Sequence, residues 1–214
     1  MWNVIKERRT EMMSKVFPRP NNLKEEQMMS PYEYLGNKRI VFCYGEIASF
    51  PYRVDNFGAT WLIDTMLALD AESHDPIKLI IDSPGGMISS GFSIYDTIKT
   101  LNSPVYTVGR SCQSMAVIVL AAGEPGHRYL YKNSRVMLHL PIGNIGGDIE
   151  DIKLRTKEMD KLKDKLVDTL IECGAGKAKK KILDDIDREY WMSPQEAINY
   201  GIVDRIIEKP GIII

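Results

Sequence analysis

Residues 111–123 read SCQSMAVIVLAAG, where one serine, Ser114, stands directly before the apolar run Met115–Ala122. The run is much shorter than the ~20 apolar residues needed to cross a bilayer, and its length suits the core of a folded domain. The pattern predicts a helix that begins near the serine. Because serine favours helix starts, Ser114 is either an N-cap or a hydroxyl exposed for chemistry.

The segments around this helix alternate between strand and helix patterns. Apolar and β-branched runs predict buried strands, and apolar residues at helical spacing predict helices. The strand segments are RIVFCYGEI (39–47), IKLIIDSPGG (77–86), SPVYTVG (103–109), HRYLYKNSRVMLHLP (127–141), with short strands around a turn at Lys132–Ser134, and VDRIIE (203–208); the helix segments are ATWLIDTMLALDAES (59–73) and SGFSIYDTIKTL (90–101). This alternation predicts an α/β domain with a largely parallel sheet.

Two further segments differ from this core. Residues 1–37 are polar and interrupted by prolines, which predicts an N-terminal arm, mobile or with a short helix, ahead of a domain at 38–214. The charged segment 148–172 predicts the longest helix. Its polar residues outnumber what one buried face requires, so this helix is either half-solvated or packed against another copy of itself.

Composition excludes several classes of partner and compartment. The 214 residues include 28 Lys+Arg and 29 Asp+Glu, a net charge of −1, so nothing indicates binding to nucleic acid or to a membrane surface. Three scattered cysteines, Cys43, Cys112 and Cys173, suit reduced thiols rather than a disulfide framework or a metal site. The N-terminus lacks the apolar block of a secretory signal. We therefore expect a soluble protein of the cytoplasm or of an organelle stroma or matrix.

Two further features make Ser114 a candidate nucleophile. A serine hydroxyl needs a nearby base, and among the three histidines only His139 ends an apolar strand, where α/β folds expose working residues. The alternative for His139 is a hydrogen-bonded histidine in the core. The SPGG turn at 83–86 allows a backbone N–H to approach a substrate closely, or is simply a tight strand-to-helix turn. Together these features favour an acyl-transfer site.

Four segments resemble the ClpP family, the proteolytic subunits of Clp proteases, in the family's order. They are SPGG…GFSIYDT, SMAVIVLAAGEPGHRY, NSRVMLHLPIG and YWMSPQEAINYGIVDRI, and the similarity extends from about Arg39 to Ile207. The resemblance implies the ClpP/crotonase-like α/β fold with a protruding handle at 141–172. It also implies a serine endopeptidase that cuts unfolded polypeptides to short peptides without a metal or an organic cofactor.

The same resemblance assigns roles to individual residues. Ser114 matches the nucleophile, His139 the general base, and the N–H groups of Gly86 and Met115 the oxyanion hole. Glu189, in DIDREYWMS (185–193), falls where the family has the catalytic aspartate. The carboxylate is retained on a stem one methylene longer. The alternatives are a surface role for Glu189 and a catalytic role for Asp185 or Asp187.

The changes at Glu189 and Gln113 favour a catalytically impaired subunit of a mixed ring as an alternative function, which the intact Ser114 and His139 oppose. Gln113 replaces a small residue beside the serine, and Arg110 replaces a family glycine unless a one-residue gap restores Gly109. An acyl-CoA enzyme of the related crotonase type is a further alternative, which the serine–histidine pair and the ordered motifs oppose.

Family members form heptameric rings that stack in pairs into a tetradecamer and work with a hexameric AAA+ unfoldase, which hydrolyses ATP. The resemblance therefore implies these partners, besides the unfolded polypeptide substrate. It assigns Arg188 to pairing between rings, with a solvated arginine as the alternative. The glycine-rich stretch 141–147, with Gly143, Ile145 and Gly146, is implied to pair with the substrate backbone, or else forms a flexible loop.

Overall fold

The computed structural model describes residues 31–48 and 58–208. The chain divides into two units between Lys38 and Arg39. The described part of the first unit contains one short helix, α1 (Pro31–Gly36). Most of the predicted N-terminal arm, residues 1–30, lies outside the described residues.

The second unit is built on a six-stranded sheet, which confirms the predicted α/β class with a largely parallel sheet. The strands are β1 (Ile40–Tyr44), β2 (Ile77–Ser83), β3 (Val105–Gln113), β4 (Arg128–Leu138), β5 (Tyr190–Met192) and β6 (Arg205–Ile207). They lie in the order β1-β2-β3-β4-β5, and β6 also pairs with β4. Every pairing is parallel except that of β4 with β5. The carboxyl ends of β1 to β4 therefore meet at one edge, where α/β folds place their sites.

Helices connect the strands and cover the core. They are α2 (Gly58–Glu72), α3 (Ile88–Thr100), α4 (Met115–Ala121), α5 (Ile149–Glu172), α6 (Lys179–Asp185) and α7 (Pro194–Tyr200). All seven residues of α4 are buried. Its first residue, Met115, packs on Gly91 of α3, where a Cβ would lie 2.1 Å from Met115 Cγ. The position of Ser114, just before α4, is thus set by burial of the whole helix.

Strand β4 differs from its prediction, because residues 128–138 form one strand instead of two strands around a turn. The register with β3 breaks in the middle, so Gly109 faces Leu130 but Ser111 faces Arg135. The Ser134 hydroxyl donates to the Gly109 carbonyl at 2.9 Å and closes the break. Beyond it, β3 and β4 run in register up to the pair Gln113–Met137, which aligns the ends of both strands.

Helix α5 confirms the long helix predicted from the charged segment. Asp148 caps it by accepting from the amides of Glu150 and Asp151. Its buried residues, Val167, Thr169 and Leu170, all lie near its end, whereas Ile149 is 71% exposed. None of the helices in the described part of the chain is both long and apolar enough to span a membrane.

Candidate active site

Ser114 occupies a sharp turn between β3 and α4. Its backbone has φ 53° and ψ −124°, a conformation that a residue with a Cβ rarely adopts and that costs about 1–3 kcal/mol. The Ser114 amide donates to the Met137 carbonyl of β4 at 2.7 Å, which ties the turn to the neighbouring strand. Ser114 stands at the N-cap position of α4, but its hydroxyl makes no capping hydrogen bond. A serine on a strained strand-to-helix turn is the arrangement of a nucleophile elbow.

The Gly85–Gly86 turn follows β2 and is fixed by Ile47. The Ile47 amide donates to the Gly85 carbonyl at 2.7 Å, and the Ile47 carbonyl accepts from the Met87 amide at 2.7 Å. Gly86 lies between the two residues, Gly85 and Met87, that hydrogen-bond to Ile47. In such a parallel bridge the N–H of this middle residue points away from Ile47. A Cβ on Gly86 would lie 2.3 Å from the Ile47 oxygen, so only glycine fits there.

Gly85 is the site residue that sequence reasoning missed. It has φ +89°, and a Cβ on it would lie 2.6 Å from Gln113 O, 2.8 Å from Ser114 Cβ and 2.9 Å from Met115 N. The turn therefore lies directly against the serine elbow. Its signal was present in the sequence as the Gly-Gly pair. Only the register of β2 and β3, which pairs Ser83 with Cys112, shows that the Gly-Gly turn and the serine turn lie side by side.

The two amides predicted for an oxyanion hole belong to these two turns. Met115 is the first residue of α4, where helix N–H groups have no partner within the helix. Gly86 belongs to the turn that contacts Ser114 through Gly85. Backbone N–H groups held by a buried helix and a fixed turn are preorganised for negative charge. The structure thus brings the Gly85–Gly86 turn, Ser114 and the Met115 amide together.

His139 leaves β4 at the same edge. Because Gln113 pairs with Met137, Ser114 lies one residue and His139 two residues beyond the last pair of two adjacent parallel strands. The histidine is half-buried. Its Nδ1 atom is buried and has no hydrogen-bond partner within the described residues. The alternative of a hydrogen-bonded core histidine therefore does not describe it.

The other two histidines are engaged elsewhere. His74 precedes β2, and its Nδ1 lies 3.3 Å from Asp70 Oδ1. His127 precedes β4, stacks on the Tyr106 ring at 4.0 Å, and has Nδ1 3.1 Å from the Tyr129 hydroxyl. Both lie at amino ends of strands, opposite the edge that carries Ser114.

Glu189 lies beside His139 along the backbone, but its carboxylate is bound to another group. The last pair of the antiparallel ladder between β4 and β5 is Leu138 with Tyr190. Just beyond this pair, His139 follows Leu138 and Glu189 precedes Tyr190. The exposed Glu189 carboxylate accepts a hydrogen bond from the Trp191 indole, with Nε1 2.9 Å from Oε2. The backbones are thus aligned for the predicted pair, which the side chains do not form.

The alternative carboxylates are less suited to the third position. The Asp185 carboxylate, with its side chain 7% exposed, is bound by Lys181 and accepts from the Tyr200 hydroxyl at 3.2 Å. Asp187 is exposed and lies 3.3 Å from Arg188. The Arg188 side chain is 88% exposed in the single chain. Its pairing between rings stays a prediction.

The glycine-rich stretch 141–147 forms no strand within the described residues. Gly143 approaches Met159 of α5, with 3.4 Å from the position of a Cβ to Met159 Cε. The Gly146 carbonyl accepts from Arg155 at 2.9 Å. Ile145 is 37% exposed. The stretch lies along α5 with exposed backbone, and its pairing with substrate stays a prediction.

Two unusual residues near the elbow have identifiable contacts. Arg110 lies at the register break, where its guanidinium donates to the Tyr44 hydroxyl at 2.8 Å. Cys112 is fully buried, and burial raises the pKa of its thiol well above the usual value. This thiol, two residues before Ser114, is thus protonated and unreactive at neutral pH.

The arrangement is that of a ClpP/crotonase-like α/β domain with a serine elbow at the carboxyl edge of its sheet. A family model described as Clp protease matches residues 23–210. The ATP-dependent Clp protease proteolytic subunit of Carsonella ruddii (strain PV) is 33% identical over 193 residues, which cover 89% of this chain and 95% of that protein. The chain belongs to the Clp protease family and is a Clp-type protease subunit, as its motifs predicted.

Proposed function

We propose that this chain is a serine endopeptidase subunit that cuts unfolded polypeptides to short peptides. The observation that carries the proposal is the strained turn at Ser114, packed against the Gly85–Gly86 turn. Such strain persists only where surrounding structure enforces it, and it concentrates at functional sites. Here the buried helix α4 and the Met137 carbonyl enforce it.

The reaction follows from the groups at this edge. His139 takes the proton from Ser114 Oγ as that oxygen attacks the scissile carbonyl carbon. The amides of Gly86 and Met115 stabilise the negative charge that develops on the carbonyl oxygen. The intermediate expels the amine, which receives the proton from His139, and leaves an acyl-enzyme on Ser114. Water activated by His139 then releases the acid and restores the serine.

We assign Glu189 as the group that orients His139. The alignment of the two backbones beyond Leu138–Tyr190 supports this assignment, as does the unpartnered Nδ1 of His139. A carboxylate on Nδ1 fixes the tautomer that leaves Nε2 free to accept the serine proton, and it stabilises the imidazolium that forms.

Assembly into stacked heptameric rings is part of the same proposal. Family membership and the exposed apolar residues Ile149 and Leu154 of α5 support it, because apolar side chains on a charged helix suit a protein contact. We further propose that Arg188 pairs between rings and that Gly143, Ile145 and Gly146 pair with the substrate backbone. The relative from Carsonella ruddii is named as ATP-dependent. We assign the ATP hydrolysis to a separate hexameric AAA+ unfoldase.

One observation favours a second candidate function, a catalytically impaired subunit of a mixed ring. The Glu189 carboxylate is bound to Trp191 and not to His139. In a mixed ring, such a subunit would contribute structure while its paralogues cut the substrate.

Peptide turnover by the assembled particle tests the proposal. The particle is incubated with a fluorogenic peptide and with an unfolded protein, and we expect cleavage that Ser114→Ala and His139→Ala each abolish. Ser111→Ala, at a half-buried serine of β3 three residues before Ser114, is the matched control and retains activity. An assembled wild type without turnover, or a Ser114→Ala particle with full turnover, overturns the proposal and favours the impaired subunit.

A further inference from the structure

We infer that Trp191 is a positioning residue for Glu189: its indole N–H holds one carboxylate oxygen so that the other can meet His139 Nδ1. The inference rests on the proposed function. Its central observation is the distance of 2.9 Å between Trp191 Nε1 and Glu189 Oε2. Hydrogen bonds to an ionised carboxylate are stronger than neutral ones. The indole is therefore an effective anchor for this side chain.

The longer side chain of glutamate is the reason that an anchor is needed. Glu189 is exposed and has one more rotatable bond than the aspartate of the family's motif. Each free rotor spreads the carboxylate over more positions, and ordering it costs entropy. Glu189 directly precedes β5, and Trp191 lies two residues further along, where its indole reaches Oε2. It can therefore hold Oε2 without displacing the backbone.

The indole is itself fixed to the strands that carry the site. Trp191 pairs with Met137 across the β4–β5 ladder. The Arg135 guanidinium lies 5.9 Å from the centre of the indole ring, within the range of a cation–π contact. Arg135 in turn faces Ser111 of β3. The indole thus contacts β4, which leads to His139, and through Arg135 it is linked to β3, which leads to Ser114.

The remaining carboxylate oxygen and His139 are complementary. Within the described residues, Glu189 Oε1 makes no hydrogen bond, and the buried Nδ1 of His139 has no partner. A buried polar atom without a partner is unfavourable. Rotation of the Glu189 side chain about the anchored Oε2 would place Oε1 on Nδ1 and satisfy both groups at once.

A double-mutant cycle on kcat tests the inference. Trp191→Phe keeps an aromatic ring beside Arg135 and removes only the N–H donor. We expect it to lower kcat on the order of 10-fold with KM unchanged, because misplaced catalytic groups slow the chemical step. Glu189→Asp places the carboxylate on a shorter stem that does not need the anchor. In that background we expect Trp191→Phe to change kcat less than about twofold, as for uncoupled residues.

Trp61→Phe, at a half-buried tryptophan of α2, is the matched control and leaves kcat unchanged. All variants are assayed as assembled particles with equal thermal midpoints. The inference is overturned if Trp191→Phe leaves kcat unchanged, raises it, or lowers it by the same factor in both backgrounds. If Glu189→Asp has no turnover, Trp191→Phe in the wild-type background is the test. A rise in KM at constant kcat in that variant contradicts the inference.

The same preparations separate this inference from the proposed function. A wild-type particle without turnover that depends on Ser114 overturns both. If the wild type shows Ser114-dependent turnover but Trp191→Phe lowers kcat by the same factor in both backgrounds, only the role of Trp191 is overturned.

Discussion

His139 and Glu189 are the next residues beyond Leu138–Tyr190, the last pair of the β4–β5 ladder, yet their side chains do not pair. The Glu189 carboxylate is 2.9 Å from the Trp191 indole nitrogen instead. Directly opposite residues of an antiparallel ladder lie about 4.5–5.5 Å apart between Cα atoms, and His139 and Glu189 are the neighbours of such a pair. We propose that a rotation of the Glu189 side chain brings its carboxylate to His139 Nδ1.

Removal of the Glu189 charge is expected to impair catalysis. Glu189→Gln preserves the size of the side chain but cannot stabilise the imidazolium, so we expect kcat to fall about 10²-fold or more. Asp187→Asn, at an exposed neighbouring carboxylate, is the control and retains activity. Equal losses in both variants would mean that the acidic loop matters only through its overall charge.

A methyl group at Gly85 is expected to disrupt the elbow. Gly85→Ala places a Cβ 2.8 Å from Ser114 Cβ at a backbone with φ +89°, which is strained for alanine. We expect a loss in kcat of about 10²-fold or more in an assembled particle, because the serine must shift. Gly176→Ala is the matched control, since nothing lies within 4 Å of that Cβ. Full activity of Gly85→Ala would contradict the described contact between the two turns.

The ion pair of Arg128 and Asp204 is expected to stabilise the fold. Asp204 accepts from Arg128 Nη2 at 2.6 Å, and the Arg128 side chain is 7% exposed. Asp204→Asn leaves this cation buried without its partner, so we expect a loss of about 3 kcal/mol in the free energy of unfolding at pH 7. Glu150→Gln, in an exposed pair with Lys153, should cost only about 0–1 kcal/mol. Denaturant titration of the particles measures both.

The same pair predicts the direction of a pH dependence. Burial would raise the pKa of the Asp204 carboxyl, but the hydrogen bonds from Arg128 and Gly126 hold it below its usual value. Its contribution is therefore fully present above the unfolded pKa of about 3.9 and is lost as the pH falls through the lower folded pKa. The difference between wild type and Asp204→Asn should shrink below about pH 4. A difference that stays constant down to pH 2 would exclude the ion pair as its cause.

Cys43 and Cys112 are expected to resist alkylation in the native protein. Burial raises the pKa of the Cys43 thiol to about 12, and it raises that of Cys112 well above the usual value. Since the thiolate is the reactive species, iodoacetamide at pH 8 should leave both unmodified. After unfolding in guanidinium, all three cysteines of the chain should react. Rapid modification of native Cys112, located by peptide mass spectrometry, would contradict the packing around the elbow.

The sequence predicts the parts of this structure that depend on local pattern. The apolar run Met115–Ala122 predicts α4 because a segment of apolar residues alone must be buried. The periodic apolar residues among the charges of 148–172 predict α5. The continuous strand β4 was not predicted. Its pairing with β3 shifts between Gly109 and Ser111, a relationship that neither segment contains alone.

The details of the site depend on contacts between distant segments. The role of Gly85 follows from its contact with Ser114, which the register of β2 and β3 determines. The strained φ of Ser114 opposes its own local preference and is enforced by packing. The hydrogen bond of Trp191 with Glu189 depends on a strand of three residues, too short for a pattern to reveal which side chains share a face.

The central claim is that Ser114 is an activated nucleophile, and covalent labelling tests it most directly. The assembled wild-type particle is treated with a fluorophosphonate, and the modified residue is located by mass spectrometry of its peptides. We expect one adduct per chain on Ser114, with labelling at least about 10²-fold slower in His139→Ala, since the serine then lacks its base. An intact particle that takes up no label, or that is labelled on another residue and not on Ser114, would contradict the account.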